Sequence, residues 1–557
     1  MIAIKAVVIA ACAVQTAYAL PTNASLPVVD LDYALHRATI NETGQYYNFS
    51  NIRYAAPPIG NLRFAAPIEP TEVNRTINDG QQGAICAQGT PYWEEVALYY
   101  FQGANTATLE FVEAEVEAVE KNLTISGLSA PAPLTSEDCL FLDVIVPKSI
   151  YDSCGESSAP VVVWIYGGGY VAGSKFGSGN PATLISRSQE NGDEGVIYVA
   201  LNYRLGLFGW LSGPTFEESG AANAALLDQR LALEWIQKYI YLFGGDADRV
   251  TVIGESAGAG SIMHQITAYG GHSTKSWLSP VYSDAQQEAT FQNVITQAQE
   301  LIGPNITSVS DLRNLDFATL AGLNTIITAR SAPYGTFTFG PAVDGTFVPE
   351  LPAKLLLEGK FDTNVKIMTG HNSNEGAFFT SPFFSTDADI ATDLTTTLPT
   401  ISNSTLAYVT GTLYPPVYNG SYPYTSIWER ASLITAEIVF TCNTRYLNTA
   451  FLNETHSYYF TVPPGLHGED IAYTFFNGDT TTSNDGLPVN ATIAADLQRY
   501  IMNFAMTGNP NGVGVPFFPE YQSNATTLVL GTTGLGSVQT DTTANNRCAW
   551  WQQALYE

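Results

Sequence analysis

The chain has 557 residues, 45% hydrophobic and 12% aromatic, enough to build one sizeable core. Only 13% are charged, and 23 Lys and Arg stand against 52 Asp and Glu for a formal net charge of −29. That balance excludes a nucleic-acid footprint and sets the surface against anionic membranes, while abundant Ser, Thr, Asn and Gly point to an extracellular protein.

The first residues agree with that reading. Met1 to Ala19 holds one lysine, an apolar run from Ala6 to Val14, and Ala17-Tyr18-Ala19 ahead of Leu20, which reads as a signal peptide (1–19) cleaved after Ala19. The run is too short for a membrane anchor, and no later segment has the length to span a bilayer. The C-terminal CAWWQQALYE carries no lipidation signal, so a soluble secreted protein with no transmembrane anchor is expected. Eleven N-x-Ser/Thr sequons, at Asn23, Asn41, Asn48, Asn74, Asn122, Asn305, Asn403, Asn419, Asn453, Asn490 and Asn524, predict a glycoprotein with exposed loops at most of these points. Six cysteines include Cys12, which leaves with the signal; five remain, so one thiol is free or intermolecular. An oxidising compartment favours pairing of the others.

Along the chain, Asn51 to Pro67 (NIRYAAPPIGNLRFAAP) is too rich in Pro and Gly for a long helix. Cys86 and Cys139 bracket a loop, Ala87 to Asp138, in which Leu109, Val112, Val116 and Val119 fall at helical spacing with Glu110, Glu113, Glu117 and Glu120 on the other faces. The predicted helix, Leu109 to Lys121, suits either a mobile lid or a docked surface helix. Pro160 to Tyr166 (PVVVWIY) reads as a buried strand leading into Gly167-Gly168-Gly169-Tyr170. Consecutive glycines can turn their N–H groups toward one point, as an oxyanion requires. A phosphate loop is the competing reading; it fails because no Gly-Lys-Ser/Thr follows. Val196 to Asn202 predicts another strand and Asn223 to Gly245 a helix, so strands alternate with helices as in a mainly parallel sheet covered on both faces. There are no internal repeats or low-complexity linkers. The stretch from Gly260 to about Gly340 reads as an insertion over the sheet edge.

The richest chemistry lies at Gly254-Glu255-Ser256-Ala257-Gly258, between the strand-like Arg249 to Ile253 and a small-residue helix. A serine on such a strand-to-helix turn projects its Oγ, with glycines leaving room for the turn and the helix N-terminus favouring an oxyanion. A nucleophilic serine needs a histidine base held by a carboxylate. His36 precedes the turn, against the Ser, acid, His order of such enzymes; His264 lies two helical turns beyond Ser256 and reads as structural. His272 sits in a polar loop with no motif, and His456 lies on the strand HSYYFTV. His371 is four residues from the best acid candidate, Glu375, which follows a strand predicted at Val365 to Thr369. His467 lies in the loop Pro463 to Asp470, just after the strand HSYYFTV. Asp344 in GPAVDG is the rival acid, and Glu255 shapes the field at the nucleophile or simply packs there.

FGGDADRVTVIGESAG resembles the nucleophile signature of type-B carboxylesterases, the family of secreted fungal lipases and animal cholinesterases. YAAPPIGNLRF, EDCLFLDV, GHNSNEG and HGEDI resemble further family segments, with Phe141 standing where Tyr or Thr is more usual. The resemblance runs through Thr507-Gly508-Asn509-Pro510-Asn511 to Cys548-Ala549-Trp550-Trp551. It implies an α/β-hydrolase fold in one domain, 20–557, with a lid loop at 87–138 longer than the family's. It implies a Ser256, His467, Glu375 triad forming an acyl-enzyme, an oxyanion hole from Gly168, Gly169 and Ala257, and neither metal nor cofactor. It pairs Cys86 with Cys139 and Cys442 with Cys548, leaving Cys154 unpaired. No cysteine lies between Ser256 and Glu375, so a disulfide of many relatives is absent. The expected substrate is a small-molecule or lipid ester, with a lipid interface as a partner if the helix is a lid. Sterol and aromatic-acid (feruloyl-type) esters stay open. A cholinesterase is disfavoured because the spacing of Trp93 from Cys86 does not match. The alternative class is a non-catalytic adhesion or scaffold protein on the same fold.

Overall fold

The computed structural model describes residues 26–556 apart from 81–82, 129, 154–157, 272–284, 479–482 and 485–486. The proposed signal, Asn23, Cys154 and His272 therefore lie outside the described residues. Strands β1 (Thr39–Asn41), β2 (Tyr46–Arg53), β3 (Phe141–Pro147), β4 (Ala159–Ile165), β5 (Ile197–Leu201) and β6 (Gly245–Gly254) form one sheet in the order β1-β2-β3-β5-β4-β6. Its first half is antiparallel, whereas β5, β4 and β6 run parallel. Every residue of β4 and β5 is buried, as their continuous apolar runs require of strands covered on both faces. Four further strands, β7 (Met368–Asn372), β8 (His456–Phe460), β9 (Thr526–Leu530) and β10 (Val538–Thr540), make a second sheet, parallel except for its last pair.

The helices that position the site are α1 (Trp93–Phe101), α2 (Thr106–Asn122), α3 (Ala224–Tyr239), α4 (Ala257–Thr267), α5 (Ala285–Leu301), α6 (Phe317–Ser331), α7 (Cys442–Ala450), α8 (Ala491–Thr507) and α9 (Asn546–Trp551). Helix α3 stops at Tyr239, six residues short of the expected Gly245, because a 3-10 turn and Gly244 at φ +88° bend the chain into β6. The strand expected at Val365 to Thr369 instead starts at Met368 and runs to Asn372, since the pairing register matches Met368 with His456 and Asn372 with Phe460. Between Gly260 and Gly340, Phe291, Val294, Leu323 and Ile327 of α5 and α6 join the main core.

In α2 the apolar stripe is buried over half its length. Leu109 and Val112 pack with Val96 of α1 and with Tyr334, Val116 is half-buried, and Val119 is 48% exposed. Cys86 is bonded to Cys139 and Cys442 on α7 to Cys548 on α9, with Cα separations of 5.1 and 5.2 Å. The first bond closes the loop carrying α1 and α2; the second ties the C-terminal helix beside β7. Among the described residues no helix is long and apolar enough to cross a membrane.

Candidate active site

The turn between β6 and α4 is enforced by what cannot fit there. Ser256 sits at φ +54°, ψ −126°, a region that side chains avoid and that stores about 1–3 kcal/mol. A Cβ on Gly254 would lie 2.8 Å from the Ile165 carbonyl oxygen, and one on Gly258 would lie 2.1 Å from the same oxygen. Both glycines are therefore fixed by the close approach of α4 to β4, and the strained serine between them is left half-exposed.

His467 follows β8 and is held by a zipper between two loops. Asn374 N–H donates to Gly465 O at 2.7 Å, and Asn372 Nδ2 to Leu466 O at 2.7 Å. Because β7 pairs parallel with β8, the segments after both strands emerge at the same edge. The result is a hydrogen-bonded row: Ser256 Oγ lies 2.8 Å from His467 Nε2, and His467 Nδ1 lies 2.6 Å from Glu375 Oε2. The other oxygen of Glu375 accepts the backbone N–H of Asn372 at 2.5 Å, which fixes the carboxylate.

The glycine loop abuts this row. A Cβ on Gly167 would lie 2.8 Å from Ser256 Cβ, so the loop and the turn are in contact. Gly168 and Gly169 hold φ +91° and +60°, and the carbonyl of Gly168 accepts from Val171 N and Ala172 N at 3.1 and 3.0 Å, closing a tight turn. Among the described residues nothing accepts a hydrogen bond from the N–H groups of Gly168, Gly169 or Ala257. Three free donors beside a serine can hold a developing oxyanion.

The remaining candidates are placed elsewhere. His36 is buried with Nε2 2.7 Å from Ser50 O, and burial lowers its pKa. His456 is buried edge-on against Phe518, and His371 packs on Tyr459 with Nδ1 3.4 Å from Thr444 Oγ1. Asp344 is occupied by Asn223 Nδ2 and the N–H groups of Thr346 and Val348, and organises a turn.

The sequence leaves Glu255 between shaping the field and simple packing, and the geometry bears on that choice. Glu255 Oε1 lies 3.3 Å from His467 Nε2, so the imidazole stands between two carboxylates. Burial opposes the charged imidazole, but Glu255 and then Glu375 outweigh it and raise the His467 pKa to about 9. Burial pushes Glu255 up to about 7, against the attraction of His467. Phe440 and Phe379 wall the same imidazole, with ring centroids at 4.3 and 5.2 Å. Trp93 stands behind them at 5.6 Å from Phe379 and donates Nε1–H to Thr336 O at 2.8 Å. Neither phenylalanine lies in a motif that the sequence could flag. A cavity of about 1360 Å³ opens onto Ser256, runs along α4 and continues between β6 and β7.

Residues 35–551 match the model of the Carboxylesterase family. The chain belongs to that family. Carboxylesterase patB of Penicillium expansum is 41% identical over 96% of this chain and 97% of its own length. Lipase 1 of Geotrichum candidum is 27% identical over 84% of this chain and 85% of its own. Among solved structures, Aspergillus niger EstA superposes with a TM-score of 0.74 at 25% identity, covering 95% of this chain and 98% of that one. The carboxylesterase chain thus has the α/β-hydrolase fold and is a carboxylic ester hydrolase of carboxylesterase or lipase type.

Proposed function

We propose that this carboxylesterase is secreted and works through Ser256, His467 and Glu375. The observation that carries the reading is the unbroken row from Ser256 Oγ through His467 to Glu375, at 2.8 and 2.6 Å. Ser256 Oγ attacks the ester carbonyl while His467 Nε2 takes its proton. Glu375 holds Nδ1–H and stabilises the imidazolium. The N–H groups of Gly168, Gly169 and Ala257 receive the oxyanion. His467 then protonates the leaving alcohol, and a water activated by the same imidazole releases the acid from the acyl-enzyme.

Replacing Ser256 with Ala tests this directly. It removes the nucleophile and leaves a smaller side chain in the strained turn, so hydrolysis of a short-chain chromogenic ester should fall by about four decades or more with the fold intact. Substantial residual turnover would refute the assignment, and no turnover by the unaltered protein would favour a non-catalytic role.

The proposal of secretion rests on the N-terminal segment and the two disulfides. Glycosylation is proposed at exposed sequons such as Asn122, Asn305, Asn403, Asn419 and Asn524. Asn48 is set apart: it lies inside β2, paired to Thr39 on one side and Ile145 on the other, with its Oδ1 buried.

A further inference from the structure

We propose that the acyl half of the substrate carries an oxygen function several bonds from the scissile carbonyl, and that Tyr170 and His264 bind it. This deepens the hydrolase reading given above and rests on it. Helix α4 sets Ser256, Gly260 and His264 four residues apart, so they follow one another along one face. At about 1.5 Å per residue, Gly260 lies about 6 Å and His264 about 12 Å along the axis from the nucleophile.

Tyr170 directly follows the glycine loop and leans over this face. A Cβ on Gly260 would lie 2.5 Å from Tyr170 Oη, so the missing side chain is what admits the hydroxyl. The ring is fixed against Trp210, with centroids 4.6 Å apart, and against the backbone at Gly340. Tyr170 and His264 both line the cavity that holds Ser256. Among the described residues neither side chain has a hydrogen-bond partner, and His264 Nδ1 is fully buried in that state.

The tautomer of His264 follows from its surroundings. Burial lowers its pKa to about 4, so the ring is neutral at ordinary pH and carries a single N–H. A buried N–H without an acceptor is costlier than a bare lone pair. The proton therefore belongs on Nε2, the nitrogen left toward the cavity. Trp210 Nε1 and Thr338 Oγ1, on two further lining residues, are also buried without partners. A hydrocarbon chain would leave these groups unpaired and dry, whereas a carbonyl, ether or hydroxyl oxygen would accept from them.

The direction is set by the chemistry of the row. The leaving oxygen must reach His467 Nε2, on the side walled by Phe440 and Phe379. The acyl chain is then directed away from that side, along α4 toward Tyr170 and Gly260 in the same cavity.

Two esters of equal length separate the possibilities: 4-nitrophenyl hexanoate and 4-nitrophenyl 5-oxohexanoate, each corrected for spontaneous hydrolysis. The unaltered enzyme should favour the oxo ester by about tenfold or more in kcat/KM. Tyr170→Phe, which keeps the ring on Trp210, should bring that ratio close to one. His264→Gln, which offers a donor near the Nε2 position, should keep more of the ratio than His264→Leu. A ratio at or below one in the unaltered enzyme, or an undiminished ratio in Tyr170→Phe, overturns the proposal. Binding of the two esters to Ser256→Ala reads the subsite without chemistry. If neither ester is turned over yet the oxo ester binds tighter, the subsite stands and the hydrolase reading fails; equal binding of both sinks the subsite.

Discussion

The position of Glu255 beside His467 makes a quantitative demand on the pH profile. Ordinary histidines titrate near 6.5, but here burial is outweighed by two carboxylates and the imidazole is held at about 9. In the proposed triad the free base takes the serine proton, so kcat/KM should rise as pH passes upward through the folded value. The rising limb is therefore expected well above the ordinary histidine range. The Glu255 oxygen lies 3.3 Å from Nε2, and at an effective dielectric of about 20 a unit pair at that distance is worth about 5 kcal/mol. That figure is a ceiling, because burial keeps Glu255 itself partly protonated up to about pH 7. A shift of about one to two pH units, each worth about 1.4 kcal/mol, is a reasonable share of it.

Glu255→Gln keeps the shape of the side chain and removes its charge. With Glu375 still in place, the rising limb of kcat/KM for a water-soluble ester should move down by about one to two units. Activity near pH 6 should accordingly increase relative to the plateau. The measurement is a profile from pH 5 to 10 followed by acid release, read as kcat/KM because that ratio reports the free enzyme. An unmoved limb in Glu255→Gln, or a limb at or below 6.5 in the unaltered enzyme, would refute the electrostatic reasoning.

Four further outcomes are expected. Peptide mapping without reduction should give Cys86 linked to Cys139 and Cys442 to Cys548, with Cys154 as a free thiol; a peptide joining Cys154 to any of the four overturns the scheme. Gly258→Ala should abolish activity and impair folding, since its Cβ would sit 2.1 Å from the Ile165 carbonyl oxygen; a stable, active variant would contradict the packing of the turn. Val112→Ser should lower Tm by the equivalent of about 2 kcal/mol, from a lost apolar side chain and a buried hydroxyl, while Val119→Ser on the exposed end changes little. Loss of activity on emulsified ester without loss of Tm in Val112→Ser would instead mark α2 as a mobile lid. Mass analysis of tryptic glycopeptides should find Asn48 bare and Asn305 or Asn403 occupied; a glycan on Asn48 would contradict its placement within β2.

The parts of the fold legible from the sequence are those with local causes. The runs at Pro160 to Tyr166 and Val196 to Asn202 carry no charged residue and are apolar almost throughout, so they mark buried strands within a residue or two. The serine turn declares itself because Gly254 and Gly258 are the side chains' way of yielding to Ile165. Boundaries set by partners far along the chain were less legible. The strand at Met368 takes its register from His456, 88 residues later, and Val365 gives no local sign that it stays outside. In α2 the period of Leu109, Val112, Val116 and Val119 is regular, but which half is covered depends on Val96 and Tyr334.

The same division holds within the site. Ser256, Glu375 and His467 each sit in a short segment with its own turn chemistry, and the structure brings those segments into one row. The charge state of the row is a different kind of property. Glu255 is adjacent in sequence to the serine, yet its effect depends on a 3.3 Å approach to a histidine 212 residues later and on the exclusion of water around both. Phe440 and Phe379 contribute to that exclusion from two other segments. A lower local dielectric strengthens the pull of both carboxylates on the imidazolium while raising the cost of ionising Glu255. The aromatic wall and the acid beside the nucleophile therefore act on the same proton. Opening that wall, for instance by Phe440→Ala, should admit water, relax both the burial that opposes the charged imidazole and the stronger pull of the carboxylates, and so draw the rising limb of the pH profile back toward the ordinary histidine range even with Glu255 intact; a limb that stays put would show that the wall does not set the displacement.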